Sequence, residues 1–358
     1  MLQFINMLRL PASRNNRAGF SLAELMVGLA LGLLTLLALS QAYIAFHGSR
    51  RTTAGTADAQ TAAMSALFAI ERDLQHAGPG LGDARLLGCG VAIDASQSII
   101  LAPVRIQAGV AGAPDTLVVY ASDLLAPPAS LGAALTAAST GIGLASTQGM
   151  REGDILGLRE AGKPCTLARI TKVDSAVRVS HTMLAPQAGL AFGYSTMATA
   201  FNLGRLSQVS YSIVGGELRR SSGDHAGNNP VVQTLAGNIV SMKAQYGFDT
   251  RAVIESVPQV TKWSALMIDA DGSGIAGDSG DWQRIAGMRI AVVARSPNRE
   301  ASACAATAAN LPGWQAPDDA GMLVRTDISL THVPDWRCYR YRSYETVVPL
   351  RNVIWGRP

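Results

Sequence analysis

A long apolar run near the N-terminus is the strongest pattern in this chain. Between Phe20 and Phe46 the only charged residue is Glu24. Helical residues rise about 1.5 Å each, so a helix over this run is longer than the roughly 30 Å hydrocarbon core of a bilayer. We therefore predict a transmembrane helix over residues 20–46. Three arginines and no acidic residue precede the run, which predicts a cytoplasmic N-terminus.

The next segment keeps a helical period. Residues 49–77 contain no proline, and apolar residues recur there at steps of three and four. We predict that the helix continues outside the membrane over residues 47–78, packs on a globular head through this stripe, and ends at Gly78 and Pro79. The stripe consists of Met64, Leu67, Phe68 and Leu74.

Beyond residue 79 the pattern changes to the alternation that is typical of β-strands. Gly215 and Gly216 follow an alternating run and predict a tight hairpin, because glycine accepts positive φ angles. Residues 125–150 and 184–204 are weakly patterned, and we expect surface loops with little regular structure there. The predicted strands cover residues 117–120, 155–158, 167–173, 209–213, 240–248 and 288–294.

Glu24 is an unusual residue for a membrane anchor. A carboxylate at depth costs about 2.5–3.5 kcal/mol on insertion scales, so a cationic partner is expected. Cleavage after Gly19 would free an amino group on Phe20, one helical turn before Glu24. Pairing within one chain is sterically awkward at that spacing, so we expect the amine of a neighbouring chain. Gly28 and Gly32 form a GxxxG step on the same helix, which lets helices approach closely, although chance explains such a step in this composition.

The first residues of the run resemble the type IV prepilin motif, through Gly19-Phe20-Ser21-Leu22 followed by Glu24, Leu25 and Met26. The resemblance implies that residues 1–19 are a leader, which a membrane-embedded prepilin peptidase removes by cutting between Gly19 and Phe20. It also implies N-methylation of Phe20 and an assembly role for Glu24. The alternative is an ordinary signal anchor with a chance glutamate.

Three further segments resemble the PilW-type minor pilins: IERDLQHAGPG before Cys89, Tyr246-Gly247-Phe248-Asp249, and the closing WRCYRYRSYETVVPLRNVIW. The resemblance implies an α+β, pilin-like fold. One long N-terminal helix, with a transmembrane half and a periplasmic half, packs on an enlarged antiparallel β-rich head over residues 79–358. It implies a single-pass inner-membrane protein with its head in the periplasm, which later reaches the pilus tip and cell surface.

The same resemblance implies a minor pilin that helps to prime pilus assembly in or near the tip complex. Its expected partners are other minor pilins, the major pilin, the pilus assembly platform and a large tip adhesin. Two alternatives stay open. One is a minor pseudopilin of a type II secretion system, and the other is a pilus-tip receptor for DNA or adhesion.

Charge and cysteine content refine this picture. The formal charge of +4 falls to +1 when the three leader arginines are removed, so bulk charge argues against a nucleic-acid partner. An even number of cysteines beyond the membrane run predicts disulfides in an oxidising periplasm. We favour Cys89–Cys165 and Cys304–Cys338, each within its own half of the head. Metal ligation by these cysteines lacks the required spacing.

Residues 269–281 form an acidic, glycine-rich stretch. Calcium takes six to eight oxygen ligands, and the candidate ligands are Asp269, Asp271, Ser273, Asp278 and Asp281. An EF-hand would place glutamate at the twelfth position, where this chain has Gly280. The alternative is a solvated acidic turn, and no other cofactor is expected.

Two other patterns suggest a chemical or ligand-binding function. Gly277-Asp278-Ser279-Gly280 resembles the surroundings of a protease serine, but no histidine lies in a matching context, so we predict no enzyme activity. Tyr339 and Tyr341 alternate with Arg340 and Arg342, which on a strand places rings and guanidinium groups on opposite faces. Single-stranded DNA binding is one interpretation. We favour a closing strand whose tyrosines enter the core.

Overall fold

Helix α1, Leu22–Gln75, is the longest element of the protein. Phe20 and residues 1–18 of the predicted leader lie outside the residues that the structure describes. The chain divides into two units, Met1–Thr53 and Ala54–Pro358. The structure is a computed structural model that describes residues 19, 21–81, 83, 85–92, 98–124, 126–136, 139–184, 193–224, 229–255, 257–299, 304, 311–317 and 322–355.

In the first unit, α1 is apolar and exposed. Among the described residues, Leu22–Ile44 is long and apolar enough to cross a membrane. Its mean hydropathy is 2.3, and none of it is buried against the rest of the protein. Because apolar side chains without a protein partner require an apolar solvent, this segment suits a bilayer or the helical core of an assembly.

The second unit is a β-rich head, and its fully described short helices are α2 (Ser279–Gln283) and α3 (Arg351–Trp355). The long N-terminal helix and β-rich head confirm the predicted α+β class. The strands are β1 (Cys89–Ala92), β2 (Ser98–Leu101), β3 (Val104–Gln107), β4 (Thr116–Ala121), β5 (Ala129–Ser130), β6 (Gly141–Gly143), β7 (Ile155–Arg159), β8 (Thr166–Ser175), β9 (Arg178–Met183), β10 (Thr199–Asn202), β11 (Ser207–Val214), β12 (Glu217–Asp224), β13 (Val231–Gly237), β14 (Ile239–Phe248), β15 (Lys262–Ser264), β16 (Ile285–Arg295), β17 (Gly313–Pro317), β18 (Leu323–Asp327) and β19 (Tyr341–Pro349).

The strands form three main sheets, and their ladders are antiparallel. The six-stranded sheet has the order β5-β10-β7-β8-β9-β6. The five-stranded sheet has the order β13-β12-β11-β4-β3, and the four-stranded sheet β15-β14-β16-β19. The hairpins β1-β2 and β17-β18 are separate pairs. The predicted Gly215-Gly216 hairpin joins β11 to β12, and both glycines have positive φ angles of 63° and 80°.

The head half of α1 packs on the five- and four-stranded sheets through small residues. Ala63, Ala66, Ile70 and Leu74 are fully buried in that core. The predicted stripe is wrong in half of its members, since Met64 and Phe68 are 54% and 69% exposed. Met64 and Phe68 lie one turn apart on the same side of the helix, about 100° from Ala63 and Leu67, and this side is turned away from the core. The alanine face is turned inward, where methyl groups let the strands lie close to the helix.

Polar contacts also fix the head half of α1. The Tyr211 hydroxyl on β11 donates to Asp73 at 2.6 Å, and the Arg220 guanidinium on β12 pairs with the same carboxylate at 2.8 Å. Burial and the neighbouring Asp73 charge raise the pKa of Tyr211. Both sheet strands are therefore tied to one side chain of the helix.

Two segments predicted as loops contain buried structure. Residues 185–192 lie outside the described residues, but the rest of 184–204 includes β10 and the buried ring of Tyr194. Residues 125–150 supply β5, β6 and buried Leu131, Ile142 and Leu144 to the core of the six-stranded sheet. These segments hold isolated apolar residues among alanine, serine and glycine, so their alternation is too weak to predict strands.

The two favoured cysteine pairs are joined in the structure. Cys89 of β1 bonds to Cys165, which directly precedes β8. Cys304 bonds to Cys338 in the turn before β19. The first bond thus attaches the β1-β2 hairpin to the six-stranded sheet.

Candidate functional site

The first turn of α1 closes on itself through Ser21 and Glu24. The Ser21 backbone N–H donates to Glu24 Oε2 at 3.0 Å, and the Glu24 N–H donates to Ser21 Oγ at 3.3 Å. This reciprocal pair is a capping box, which satisfies two donors at the helix N-terminus. The sequence spacing Ser-x-x-Glu is typical of such a box, so Glu24 has a local hydrogen-bonding role besides the predicted ion pair.

The capping box adds a local role for Glu24. Its carboxylate turns back one helical turn and accepts from the N–H of Ser21, the residue that follows Phe20. The expected pairing with the Phe20 amine of a neighbouring chain stays a prediction. Phe20 itself lies outside the described residues, so its predicted amine is not located. Glu24 is therefore already hydrogen-bonded in a single chain, without a cationic partner among the described residues.

A groove runs along α1 from Glu24. An added Cβ at Gly28 or Gly32 would meet nothing within 4 Å, so no other part of the described chain fills the groove. Missing side chains at these two positions allow a second helix to approach closely. One face of the helix therefore combines a carboxylate at its start with a shallow apolar surface. The lining residues are Glu24, Leu25, Gly28, Leu29, Gly32, Leu33 and Leu36.

The predicted calcium ligands separate into two groups. Oxygens of Asp269, Asp271 and Asp281 lie within 4.8 Å of one another. Asp278 instead caps α2 by accepting from the Asp281 N–H, and Ser273 Oγ donates to Asp278 at 2.8 Å. The structure brings together three of the five predicted residues and turns the other two toward each other.

Backbone N–H groups already bind these carboxylates. Asp281 is fully buried and accepts from the N–H groups of Ala270, Asp271 and Gly277. Asp269 accepts from two further backbone N–H groups at 2.8 and 2.9 Å. The Ser273 N–H lowers the pKa of Asp271 below its usual range. Internal bonding therefore explains the loop by itself, and calcium binding stays a prediction.

Gly280, which interrupts the EF-hand pattern, has a local reason in the structure. A Cβ at this position would lie 1.8 Å from Asp271 Oδ2. Glycine at this position therefore lets the Asp271 carboxylate lie against the first turn of α2. The residue that argued against an EF-hand suits a different loop geometry.

Asp249, at the end of β14, fixes the loop that follows. Its carboxylate accepts from Arg251 Nε at 2.8 Å, from Arg251 Nη2 at 2.6 Å and from the Gln259 N–H at 3.1 Å. The Arg251 guanidinium lowers the pKa of Asp249 from its ordinary value of 3.8 to about 2. The Tyr-Gly-Phe-Asp motif thus ends on a structural ion pair.

This ion pair predicts a pH effect on stability. A depressed pKa in the folded state means that ionised Asp249 stabilises the fold above pH 3.8, and that this contribution is lost as the pH falls toward about 2. We expect the stability difference between wild type and Asp249→Asn to be largest at neutral pH and to shrink over that window. Urea unfolding midpoints across pH measure it, with Asp58→Asn, an exposed carboxylate on α1, as the control. A difference that does not vary with pH would contradict the prediction.

The closing segment differs from its predicted alternation. Trp336–Cys338 form a 3-10 turn and β19 begins at Tyr341, so Tyr339 and Arg340 precede the strand. The Tyr341 hydroxyl donates to the Trp336 carbonyl at 2.7 Å, and burial raises the pKa of Tyr341 to about 12. The Tyr339 ring lies 4.4 Å from the Arg295 guanidinium. Tyrosines at this terminus therefore have structural contacts within the head.

Two family comparisons match this chain. Residues 207–352, from β11 to the first turn of α3, match the family described as Type IV Pilus-assembly protein W, PilW. Residues 14–40 match the prokaryotic N-terminal methylation motif. Residues 41–206, which include the six-stranded sheet, lie outside both matches.

Comparisons with individual proteins are more limited. No curated protein matches the chain. Among solved structures, a type IV-like pilin from Thermus thermophilus is similar at 13% identity, over 57% of this chain and 87% of that chain, with a TM-score of 0.23. The two family matches therefore show that this chain carries the N-terminal methylation motif on its apolar helix and a PilW domain in its head.

Proposed function

We propose that this protein is a minor type IV pilin that helps to prime pilus assembly and stays at or near the pilus tip. In this proposal prepilin peptidase removes residues 1–19, and the apolar helix holds the chain in the inner membrane with its head in the periplasm. The assembly platform then moves the chain into a filament of other minor pilins and the major pilin. Its role is structural, without catalysis.

The position of Glu24 at the start of an open helix groove carries this proposal. Its hydrogen bond from the Ser21 N–H is a bond to a neutral donor. An ammonium group binds a carboxylate more strongly, and the advantage grows in a low dielectric. The freed amine of an adjacent pilin supplies such a group, while Gly28 and Gly32 let its helix lie close. The capping box keeps the carboxylate hydrogen-bonded until that partner arrives.

The size and the disulfides of the head favour a position at the end of the filament. The head unit extends over Ala54–Pro358, which is bulky for a subunit repeated in a close-packed helical array. Disulfides bind two parts of the head, as suits a surface exposed outside the cell. A subunit present once or a few times at one end avoids the crowding that repetition would cause.

Deletion of the gene, followed by complementation, tests this function. We expect few surface pili in the deletion strain by electron microscopy and normal numbers with the wild-type gene. Glu24→Val should be cleaved normally yet enter sheared pili about tenfold less or worse, because the incoming amine loses its partner. Glu24→Gln keeps the shape and should give an intermediate result. Glu71→Gln, on the same helix, is the matched control.

Three outcomes would contradict the proposal. Normal piliation in the deletion strain would exclude an assembly role. Normal incorporation of Glu24→Val would exclude the pairing argument. A secretion defect with normal pili would instead indicate a minor pseudopilin of a type II secretion system.

A further inference from the structure

A polar cleft of about 300 Å³ opens in the head between three loops. The loops follow β4, precede β7 and precede β11, so the cleft lies where the six-stranded and five-stranded sheets meet. None of the lining residues belongs to either family-matched segment. The lining residues are Asp123, Leu124, Arg151, Glu152, Asp154 and Arg205.

Asp154 is the deepest charged group of the cleft. It is 6% exposed, and its Oδ2 accepts from the Arg151 N–H at 2.9 Å and from Asn202 Nδ2 at 3.0 Å. Its Oδ1 accepts no hydrogen bond from the described part of the chain. This oxygen keeps contact with solvent through the cleft, so it is accessible to a cationic or donor group that enters.

Two arginines stand at the rim of the same cleft. Arg151 and Arg205 are exposed, and neither guanidinium has an ion-pair or hydrogen-bond partner among the described residues. Arg205 is held only through its backbone N–H, which donates to Asp123 Oδ1 at 2.6 Å. Guanidinium groups bind carboxylates through paired N–H donors. Charges of both signs therefore line one cleft without neutralising each other.

The three loops that line the cleft lie close to one another around Gly204. Gly204 has a φ angle of 55°, and a Cβ there would lie 2.3 Å from Asp123 Oδ1. The Ile155 N–H donates to the Gly204 carbonyl at 2.8 Å, which joins the loop before β7 to the loop before β11. The charged groups therefore sit on anchored backbone.

We propose that this cleft binds a small zwitterion, whose ammonium group contacts Asp154 and whose carboxylate contacts Arg151 and Arg205. The cleft volume is at the lower end of the range for small-molecule sites, so the ligand class is that of free amino acids and short ω-amino acids. The inference stands apart from filament assembly, because it uses no residue of α1.

Titration of the full chain in detergent micelles tests the proposal. The probes are glycine, γ-aminobutyrate and ε-aminocaproate, which separate the two charges by increasing lengths. Butylamine and butyrate carry one charge each and serve as controls. We expect calorimetry to show at least one zwitterion binding at one site per chain, with neither control competing at equal concentration.

Variants locate the site. Asp154→Asn and Arg205→Gln should each weaken binding about tenfold or more, while Arg178→Gln, an exposed arginine on β9, should leave it unchanged. Arg205 is exposed, so its variant reports on binding even where Asp154→Asn disturbs the fold. Absence of binding by the whole series, wild-type binding by Arg205→Gln, or equally tight binding of butylamine would each overturn the proposal.

Discussion

Replacing Gly19 with valine is expected to leave the chain in the membrane at its precursor length. A prepilin peptidase must fit the residue before the cut into its site, and a β-branched side chain obstructs that fit. A Cβ at Gly19 would meet nothing within 4 Å in the described part of the chain. Gly19 also lies before the start of α1 at Leu22. Any failure to cut therefore reports on recognition by the peptidase.

Edman sequencing and gel mobility of the exported chain measure this outcome. Wild type should begin with methylated Phe20, and Gly19→Val with the original methionine. Gly28→Val is the matched control, because a Cβ there also meets nothing within 4 Å. It should be cut normally while narrowing the groove on α1. A normally cut Gly19→Val chain, or a wild-type start at another residue, would refute the processing site.

Replacing Asp281 with alanine is expected to destabilise the head strongly. The Asp281 side chain is fully buried and accepts three backbone N–H groups. Each buried donor left without a partner costs about 1–3 kcal/mol, so we expect a loss of about 3–5 kcal/mol after partial hydration of the loop. Denaturation of the full chain, followed by tryptophan fluorescence to which the adjacent buried Trp282 contributes, measures the change.

A neighbouring carboxylate provides the control. Asp278→Ala removes the α2 cap and should cost about 1 kcal/mol. Equal, small effects of both substitutions would show that the buried bonds to Asp281 do not hold the loop. Wild-type unfolding with calcium and with a chelator tests the calcium interpretation in the same apparatus, since a bound ion stabilises the folded state.

The strongest sequence signals predicted the elements but not all of their orientations. The charge-free run after Glu24 and the Gly215-Gly216 pair each specify one local conformation, so the helix and the hairpin could be predicted. The inward face of α1 could not, because alanine carries little hydrophobic signal while Met64 and Phe68 carry much. The strand β10 could not be predicted either, because its few apolar residues stand among small residues and give only a weak alternation.

Some of the candidate sites could likewise be predicted from the sequence, and others could not. Glu24 could be found because it is the single charged residue of the apolar run and lies at a fixed offset from the predicted cleavage motif. The cleft could not, because Asp123, Asp154 and Arg205 come from separate loops that only the folded sheets bring together. For Asp281, the acidic pattern indicated a cation, whereas folding supplied backbone donors that no residue pattern displays.

The bond between Cys89 and Cys165 has a mechanical consequence. It closes a sequence separation of 76 residues, and a stretch of that length pulled straight would measure roughly 250 Å. While the two cysteines are bonded, a stretching force cannot extend the segment between them. If tension unfolds the head, the reduced chain would therefore extend further than the oxidised chain by about this length.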